Sequence, residues 1–245
     1  MNIVIPMAGQ GSRFVKAGYS TPKPFIMVNG TTLIELVLKN LYIKDAHYLL
    51  LARTEHIESH ASIFNRIQNN FNAHIIAVDR LTEGATCTVL HAHRFINNSV
   101  PLLLANSDQY IDANIIDFIQ DCQDRQLDGS ILTFIDPMRD PKWSFARLNE
   151  TNLVLEVKEK QPISAYATVG LYYFSQGKHF VDAAIDMLIA NDRVNGEFYT
   201  CPVYNYCISA GLRIGIYNID ATCMHGLGTP EDLTRFIKDR SCVLS

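Results

Sequence analysis

Short apolar runs alternate with amphipathic stretches through the first half of the chain. Ile3–Met7 has the length and composition of a buried strand and runs directly into a glycine-rich loop. Leu33–Leu41 carries apolar residues at helical spacing, Tyr48–Leu51 reads as a strand and Ile57–Ile67 as a helix. His74–Val78 predicts the next strand, Val89–Phe95 a helix, Pro101–Leu104 a strand and Ile115–Cys122 a helix. Strands that alternate with helices imply a mostly parallel sheet covered by helices on both faces. The texture changes after Asp128. Ile131–Ile135, Phe145–Leu148, Leu153–Val157 and Thr168–Phe174 are β-like runs with short connections. Phe180–Ile189 then predicts a helix, Tyr199–Ser209 another with Pro202 in its first turn, Arg213–Ile219 a strand, and Pro230–Lys238 a closing helix with Thr229 as N-cap. The expectation is one α/β domain over residues 1–245, with a mostly parallel or mixed central sheet. Its texture divides into residues 1–128 and 129–245.

Length and composition agree with that picture. A chain of 245 residues, 48% apolar and 19% charged, is long enough to bury a sizeable core. Its net charge of -4 argues against nucleic acid or a membrane surface as partner, although a local basic pocket stays open. The start, Met-Asn-Ile-Val-Ile-Pro, has neither the basic nor the long apolar part of a signal peptide, and no run is long enough to span a bilayer, so the cytoplasm is expected. The cysteines at 87, 122, 201, 207, 223 and 242 form no CxxC pair, which fits buried free thiols better than zinc or disulfides.

Three short segments carry candidate chemistry. Ala8-Gly9-Gln10-Gly11-Ser12-Arg13 follows the first strand; glycines there let backbone N–H groups approach a phosphate, and Arg13 adds a charge-assisted contact. The loop lacks the ending of a Walker A motif and the third glycine of a dinucleotide fingerprint, and an ordinary turn would read the same. In Pro22-Lys23-Pro24 the prolines stiffen the chain around a cation, which suits a lysine aimed at a phosphate but also a surface lysine in a proline-rich loop. Asn106-Ser107-Asp108 lies just past the strand Pro101–Leu104, where open α/β sheets bind ligands. Asp108 there can hold Mg²⁺ against triphosphate oxygens, or simply start a turn.

Taken in order, these segments resemble the sugar-phosphate nucleotidyltransferases of the glucose-1-phosphate thymidylyltransferase type. Further matches are Glu83-Gly84-Ala85-Thr86, Glu159-Lys160-Gln161-Pro162, the run Ala167–Phe174 and Gly228-Thr229, so the resemblance spans almost the whole chain. It implies a nucleotide-diphospho-sugar transferase fold, GT-A-like and Rossmann-like. It also implies transfer of a nucleoside monophosphate from a nucleoside triphosphate to a phosphorylated small metabolite, with Mg²⁺ as cofactor (Mn²⁺ as a substitute) and pyrophosphate as product. Residues 1–128 would hold the nucleotide and 129–245 the acceptor. Ala8, Gly9, Gly11, Ser12, Arg13, Gly84 and Ala85 would bind the nucleotide, with Arg13 at the β- and γ-phosphates and Lys23 at the α-phosphate as the catalytic cations. Asp108 would hold the metal. Glu159, Lys160, Gly170, Glu197 and Tyr199 would bind the acceptor. No nucleic acid or membrane partner is implied, and self-association is left open.

The segments Trp143–Ala146, Asn195–Tyr199, Pro202–Asn205 and Leu227–Asp232 resemble a capsule-biosynthesis branch that includes a CTP:phosphoglutamine cytidylyltransferase, which makes CTP the favoured donor. Thymidylyl, uridylyl or guanylyl transfer to a sugar 1-phosphate remains the alternative. The sugar enzymes carry a second metal-binding aspartate two residues before the final Gly-Thr, where this chain has Gly226. Glu197 and His225 are the candidates for that role. From other classes, a GT-A glycosyltransferase would use an Asp-x-Asp site where this chain has Asn106-Ser107-Asp108. A ligand-sensing relative without catalysis tends to lose Arg13 or Lys23, and both are present.

Overall fold

The structure, a computed structural model, describes residues 1–241. Its frame is a nine-stranded mixed sheet. The parallel part has Asn2–Pro6 at its centre, paired with His47–Arg53 on one side and Leu102–Ala105 on the other, and His47–Arg53 pairs in turn with Ala73–Val78. The inner strands Asn2–Pro6, His47–Arg53 and Leu102–Ala105 are mainly apolar and buried because both faces are covered, whereas the outer strand Ala73–Val78 stays largely half-buried or exposed. Ile3, Ile5, Leu50, Ala52, Leu103 and Ala105 point into one core layer, and Val4, Leu49, Leu51, Leu102 and Leu104 into the other.

The long strand Tyr166–Phe174 converts this parallel sheet into a mixed one. Its last residues run antiparallel to Leu102–Ala105, and its first residues meet Ser144–Leu148. On the opposite edge it pairs with Gly129–Ile135, which continues into a parallel pair with Ile214–Ile219. Val154–Glu159 closes one edge by pairing with Ser144–Leu148. The expected texture change after Asp128 is therefore this switch from parallel to antiparallel pairing, within one continuous sheet.

Helices cover both faces. Leu33–Asn40, Ala61–Asn70, Ile115–Asp124 and Pro230–Ser241 bury residues such as Val37, Phe64, Phe118 and Phe236 in one layer, while Ala85–Leu90, Gly177–Ile189 and Val203–Ser209 bury Val89, Phe180 and Tyr204 in the other. Leu33–Asn40 begins with a capping box: the Thr32 hydroxyl accepts from the Glu35 N–H (3.4 Å), and Glu35 accepts from the Thr32 N–H (3.1 Å). Arg66 then grips the Glu35 carboxylate in a fork at 2.6 and 3.0 Å. This guanidinium, ahead of the opposing desolvation and the Thr32 hydrogen bonds, draws the Glu35 pKa down to about 2.

Several expected boundaries move. The helix expected over Ile57–Ile67 is two helices, Thr54–Ser59 and Ala61–Asn70, broken at His60 (φ -125°, ψ 32°), whose ring stacks on Phe25 at 4.1 Å. Val89–Phe95 likewise splits into Ala85–Leu90 and His93–Ile96. The helix expected from Tyr199 begins at Val203, because Pro202 takes the N-cap position. Among the described residues Cys122, Cys201 and Cys207 are buried free thiols and Cys87 and Cys223 half-buried ones; Cys242 lies outside the described residues. Burial pushes the Cys122 and Cys207 thiols up to about 12. No described helix is long and apolar enough to cross a membrane.

Candidate active site

The glycine loop leaves the carboxyl end of Asn2–Pro6 and turns at Gly11 (φ 60°) into a short helix, Ser12–Lys16, while Lys23 heads a 3-10 turn, Lys23–Phe25. Pro24 and Phe25 are buried, and Phe25 lies against His60, His56 and Phe64, so the turn that carries Lys23 is pinned from beneath. Asp108 follows the central strand Leu102–Ala105, and Lys23 Nζ donates to Asp108 Oδ2 at 2.8 Å. Both side chains keep partial access to solvent (18% and 24%), so the pair can be reopened by a ligand. The two residues that the sequence marks for catalysis and for metal thus face each other.

Around this pair lie two adjoining cavities. The first, about 460 Å³, is bounded by the backbone of Pro6–Ser12, by Lys23 and Pro24, and by Leu81, Thr82, Gly84 and Thr88. Gly84 (φ +121°) is required here, since a Cβ would stand 2.5 Å from the Phe198 carbonyl oxygen. Backbone hydrogen bonds between Phe198 and both Glu83 (2.8 Å) and Thr86 (3.1 Å) lock the Glu83–Thr86 segment to the loop that carries Glu197 and Tyr199. Arg193 reinforces that lock by pairing with Glu83 at 2.7 Å and lying 4.1 Å over the Phe198 ring.

The second cavity, about 330 Å³, lies beyond Asp108 and shares Ala85, Asn106, Asp108 and Tyr199 with the first. Its position depends on a bulge in Tyr166–Phe174 between Thr168 and Tyr172, with Gly170 at φ +92°. The Gly170 carbonyl accepts from the Asn106 N–H at 3.0 Å, and a Cβ there would meet Asn106 Nδ2 at 2.4 Å. Glu159 and Ser144 are cross-strand partners, and the Ser144 hydroxyl donates to the Glu159 carboxylate. Burial pushes the Glu159 carboxyl up, opposed by Ser144 and the Lys160 charge and assisted by nearby Glu197. Lys160 turns out of the strand at φ 55°; its Nζ donates to the Tyr199 hydroxyl at 2.5 Å and lies 4.4 Å from the centre of that ring. The side-chain amide oxygen Oε1 of Gln109 is buried without a hydrogen-bond partner among the described residues. The cavity therefore presents cations (Arg13, Lys142, Lys160) and hydrogen-bond acceptors (Glu159, Gln109) to one small volume.

Most of the site residues expected from sequence meet here. Ala8, Gly9, Gly11, Ser12, Gly84 and Ala85 line the first cavity, and Glu159, Lys160, Gly170 and Tyr199 line the second. Two residues change sides: Arg13 lines the second cavity beside Gly228 and Asp108, and Glu197 lines the first. His225 lines neither. Its Nε2 is 2.8 Å from Asp112, and its ring lies against Tyr110 and Phe236 on the small sheet formed by Gln109–Ile111 and Met224–Gly226. Lys142, Gln109, Thr168, Tyr172 and Asp232 also line the second cavity and were missed. Lys142 adjoins a recognised segment and Asp232 ends one, but no sequence pattern says which way their side chains point.

A metal fits on donor chemistry. Asp108 offers a hard carboxylate oxygen at the junction of the cavities, and the described residues contain no group of three or more His, Cys, Asp or Glu able to cage an ion by themselves. That suits Mg²⁺, which binds through one or two carboxylates and completes its shell with phosphates and water.

The fold and sequence are shared with known proteins. A nucleoside-diphosphate-sugar pyrophosphorylase from Vibrio cholerae superposes with a TM-score of 0.81 at 27% identity, over 96% of this chain and 99% of that one. An inositol-1-phosphate CTP transferase from T. maritima shares the fold, with a TM-score of 0.72 at 13% identity over 97% and 96% of the two chains. A 2-aminoethylphosphonate cytidylyltransferase from Lancefieldella rimae is 34% identical over 107 residues, which cover 35% of this chain and 40% of that protein's length. A family model described as nucleotidyl transferase matches residues 3–194, a stretch that contains the glycine loop, Lys23, Asp108, Glu159 and Lys160. With all of these inside the matched region, the chain belongs to the nucleotidyl transferase family.

Proposed function

We propose that the protein transfers a nucleoside monophosphate from CTP to a phosphorylated small metabolite and releases pyrophosphate, in the making of a capsule or surface polysaccharide. The observation that carries this reading is the pair of cavities meeting at Asp108 and Lys23, one bounded by glycine-loop backbone and the other by cations. The acceptor's phosphate oxygen, already anionic near neutral pH, attacks the α-phosphorus, and no protein base is needed. Positioning and charge neutralisation then carry the catalysis. The backbone of the glycine loop cradles the triphosphate, and Lys23 leaves Asp108 to meet the α-phosphate. Arg13 lines the acceptor side, which supports a contact where the two substrates' phosphates approach, in place of the β- and γ-contacts expected from sequence. Lys142 and Lys160 hold the acceptor's phosphate, and Glu159 and Gln109 accept hydrogen bonds from its body. Asp108 would hold Mg²⁺, which when bound would neutralise phosphate charge. The choice of CTP rests on the resemblance of Trp143–Ala146 and Asn195–Tyr199 to the cytidylyl branch and on the partial match to a cytidylyltransferase. A matrix of the common nucleoside triphosphates against phosphorylated and phosphonylated metabolites, read as pyrophosphate, tests it. CTP should give the fastest release, a preference for dTTP would move the protein to sugar 1-phosphates, and no release with any pair would overturn nucleotidyl transfer.

A further inference from the structure

Gly226 stands where the resemblance to the sugar enzymes implies a second carboxylate, and the structure puts a carboxylate beside that place from elsewhere in the chain. The stretch Gly226–Gly228 passes between two acids. A Cβ on Gly228 would lie 2.9 Å from Asp108 Oδ2, and a Cβ on Gly226 would find only Asp232 Oδ2 within 4 Å among the described residues, at 3.8 Å. The same stretch is tied to Asp108 by the hydrogen bond from the Leu227 N–H to the Asp108 carbonyl (2.8 Å).

Asp232 lies in the first turn of the closing helix, and its carboxylate is fixed there. Oδ2 accepts from the Thr229 hydroxyl at 2.9 Å, and the Asp232 N–H donates to Thr229 Oγ1 at 3.1 Å. Oδ1 has no hydrogen-bond donor among the described residues. Asp232 and Asp108 line the same cavity, with Arg13 beside them. The other two candidates are less well placed: His225 is bound to Asp112 outside both cavities, and Glu197 lies on an exposed turn of the first.

We propose that Asp232 supplies the second protein carboxylate of the divalent-cation site, facing Asp108 across the space left open by Gly226. The requirement for an acid at this point is met from the helix, and the strand position can then be glycine. The proposal rests on the nucleotidyl-transfer reading of the site. Two carboxylates together with phosphate oxygens and water form a donor set suited to Mg²⁺ or Mn²⁺.

Mn²⁺ binding, followed by the electron paramagnetic resonance of the free ion, tests this without turnover. The protein is first saturated with the α,β-methylene analogue of its tightest-binding nucleoside triphosphate. Asp232→Asn keeps an oxygen for the Thr229 hydroxyl but loses the charge. It should weaken Mn²⁺ by roughly 10-fold or more, on the scale of losses at metal sites, with little change in melting temperature. Adding Gly226→Asp to Asp232→Asn should restore most of the affinity, since it returns a carboxylate to the same space from the other side. The proposal is overturned if Asp232→Asn binds Mn²⁺ as the native chain does while Asp108→Asn does not. It is also overturned if the melting temperature falls and Gly226→Asp restores nothing, because Asp232 is then only a helix cap. If Asp108→Asn also leaves Mn²⁺ affinity intact, the metal reading of Asp108 falls along with it.

Discussion

Lys23 and Asp108 neutralise each other at 2.8 Å; under the proposed function, binding the triphosphate would exchange this ion pair for two contacts, lysine to phosphate and carboxylate to cation. A contact that strengthens as the α-phosphorus reacts appears in kcat. Lys23→Ala should therefore cut kcat by roughly 10²–10³, the scale for losing one electrostatic stabiliser. Lys23→Arg should not rescue it, because a planar fork cannot stand in for a compact ammonium in this turn. A loss confined to the nucleotide KM in steady-state kinetics would make Lys23 a binding residue only. Glu159 allows a pH prediction. Burial raises its pKa, so the ionised form is disfavoured in the fold. This cost is absent below the ordinary carboxylate pKa and fully present above the raised one. Glu159→Gln should melt higher than the native chain at pH 8, the gain should fade as the pH falls below the carboxylate range, and acceptor affinity should drop. Equal melting temperatures at pH 8 would show that the carboxylate is not held at a cost.

At the scale of single elements, the site is held by small turns that helices and strands keep in place. The 3-10 turn at Lys23–Phe25 is short and is held by Phe25 packed on His60 and Phe64, with His60 at the break between the helices Thr54–Ser59 and Ala61–Asn70. Leu33–Asn40 depends on its capping box and on Arg66. Thr32→Ala should cost about 1 kcal/mol, or about 2–4 °C in melting temperature for a chain of this size. Glu35, with its pKa drawn down to about 2, contributes stability above the ordinary carboxylate pKa of 4.5, and that contribution is lost as the pH falls toward 2. Glu35→Gln should therefore melt lower than the native chain at pH 7, and the difference should shrink in acid. The Glu83–Thr86 segment has no tolerance at Gly84. Gly84→Ala must shift the Phe198 backbone and strain a φ of +121°, a strain of about 1–3 kcal/mol, and differential scanning calorimetry should show the loss together with weakened nucleotide binding.

In the molecule as a whole, the site is assembled from segments far apart in the chain. The second cavity draws Arg13 and Asp108 from the first half of the sequence and Glu159, Tyr199 and Asp232 from the second. Ligands that bridge such segments stabilise the whole fold by mass action, by about 2.7 kcal/mol at a concentration 100 times Kd. CTP with Mg²⁺ should therefore raise the melting temperature more than CTP alone, EDTA should remove the difference, and activity should vanish with EDTA and return with Mg²⁺ or Mn²⁺. Asp108→Asn should abolish the metal-dependent part of the shift; an undiminished shift in that variant would take Asp108 out of the metal site.

The sequence by itself determined the parallel strands and the order of the candidate groups. Continuous apolar runs such as Ile3–Met7 can only be buried on both faces, and glycine loops after strands report backbone geometry that local residue choice dictates. Gly9, Gly11 and Asp108 were legible as candidates because each lies just past such a run, Lys23 because prolines flank it, and Glu159 and Lys160 only through the resemblance to the sugar-phosphate nucleotidyltransferases. The tertiary structure alone decided the direction of side chains and the pairing of distant elements. The bulge at Gly170, the turning of Arg13 toward the second cavity, the removal of His225 to Asp112 and the approach of Asp232 to Gly226 all arise from contacts across dozens of residues or more, or from a backbone turn that no local pattern marks. Spacing along a chain fixes which face a residue shares with its near neighbours, but only packing fixes what that face meets.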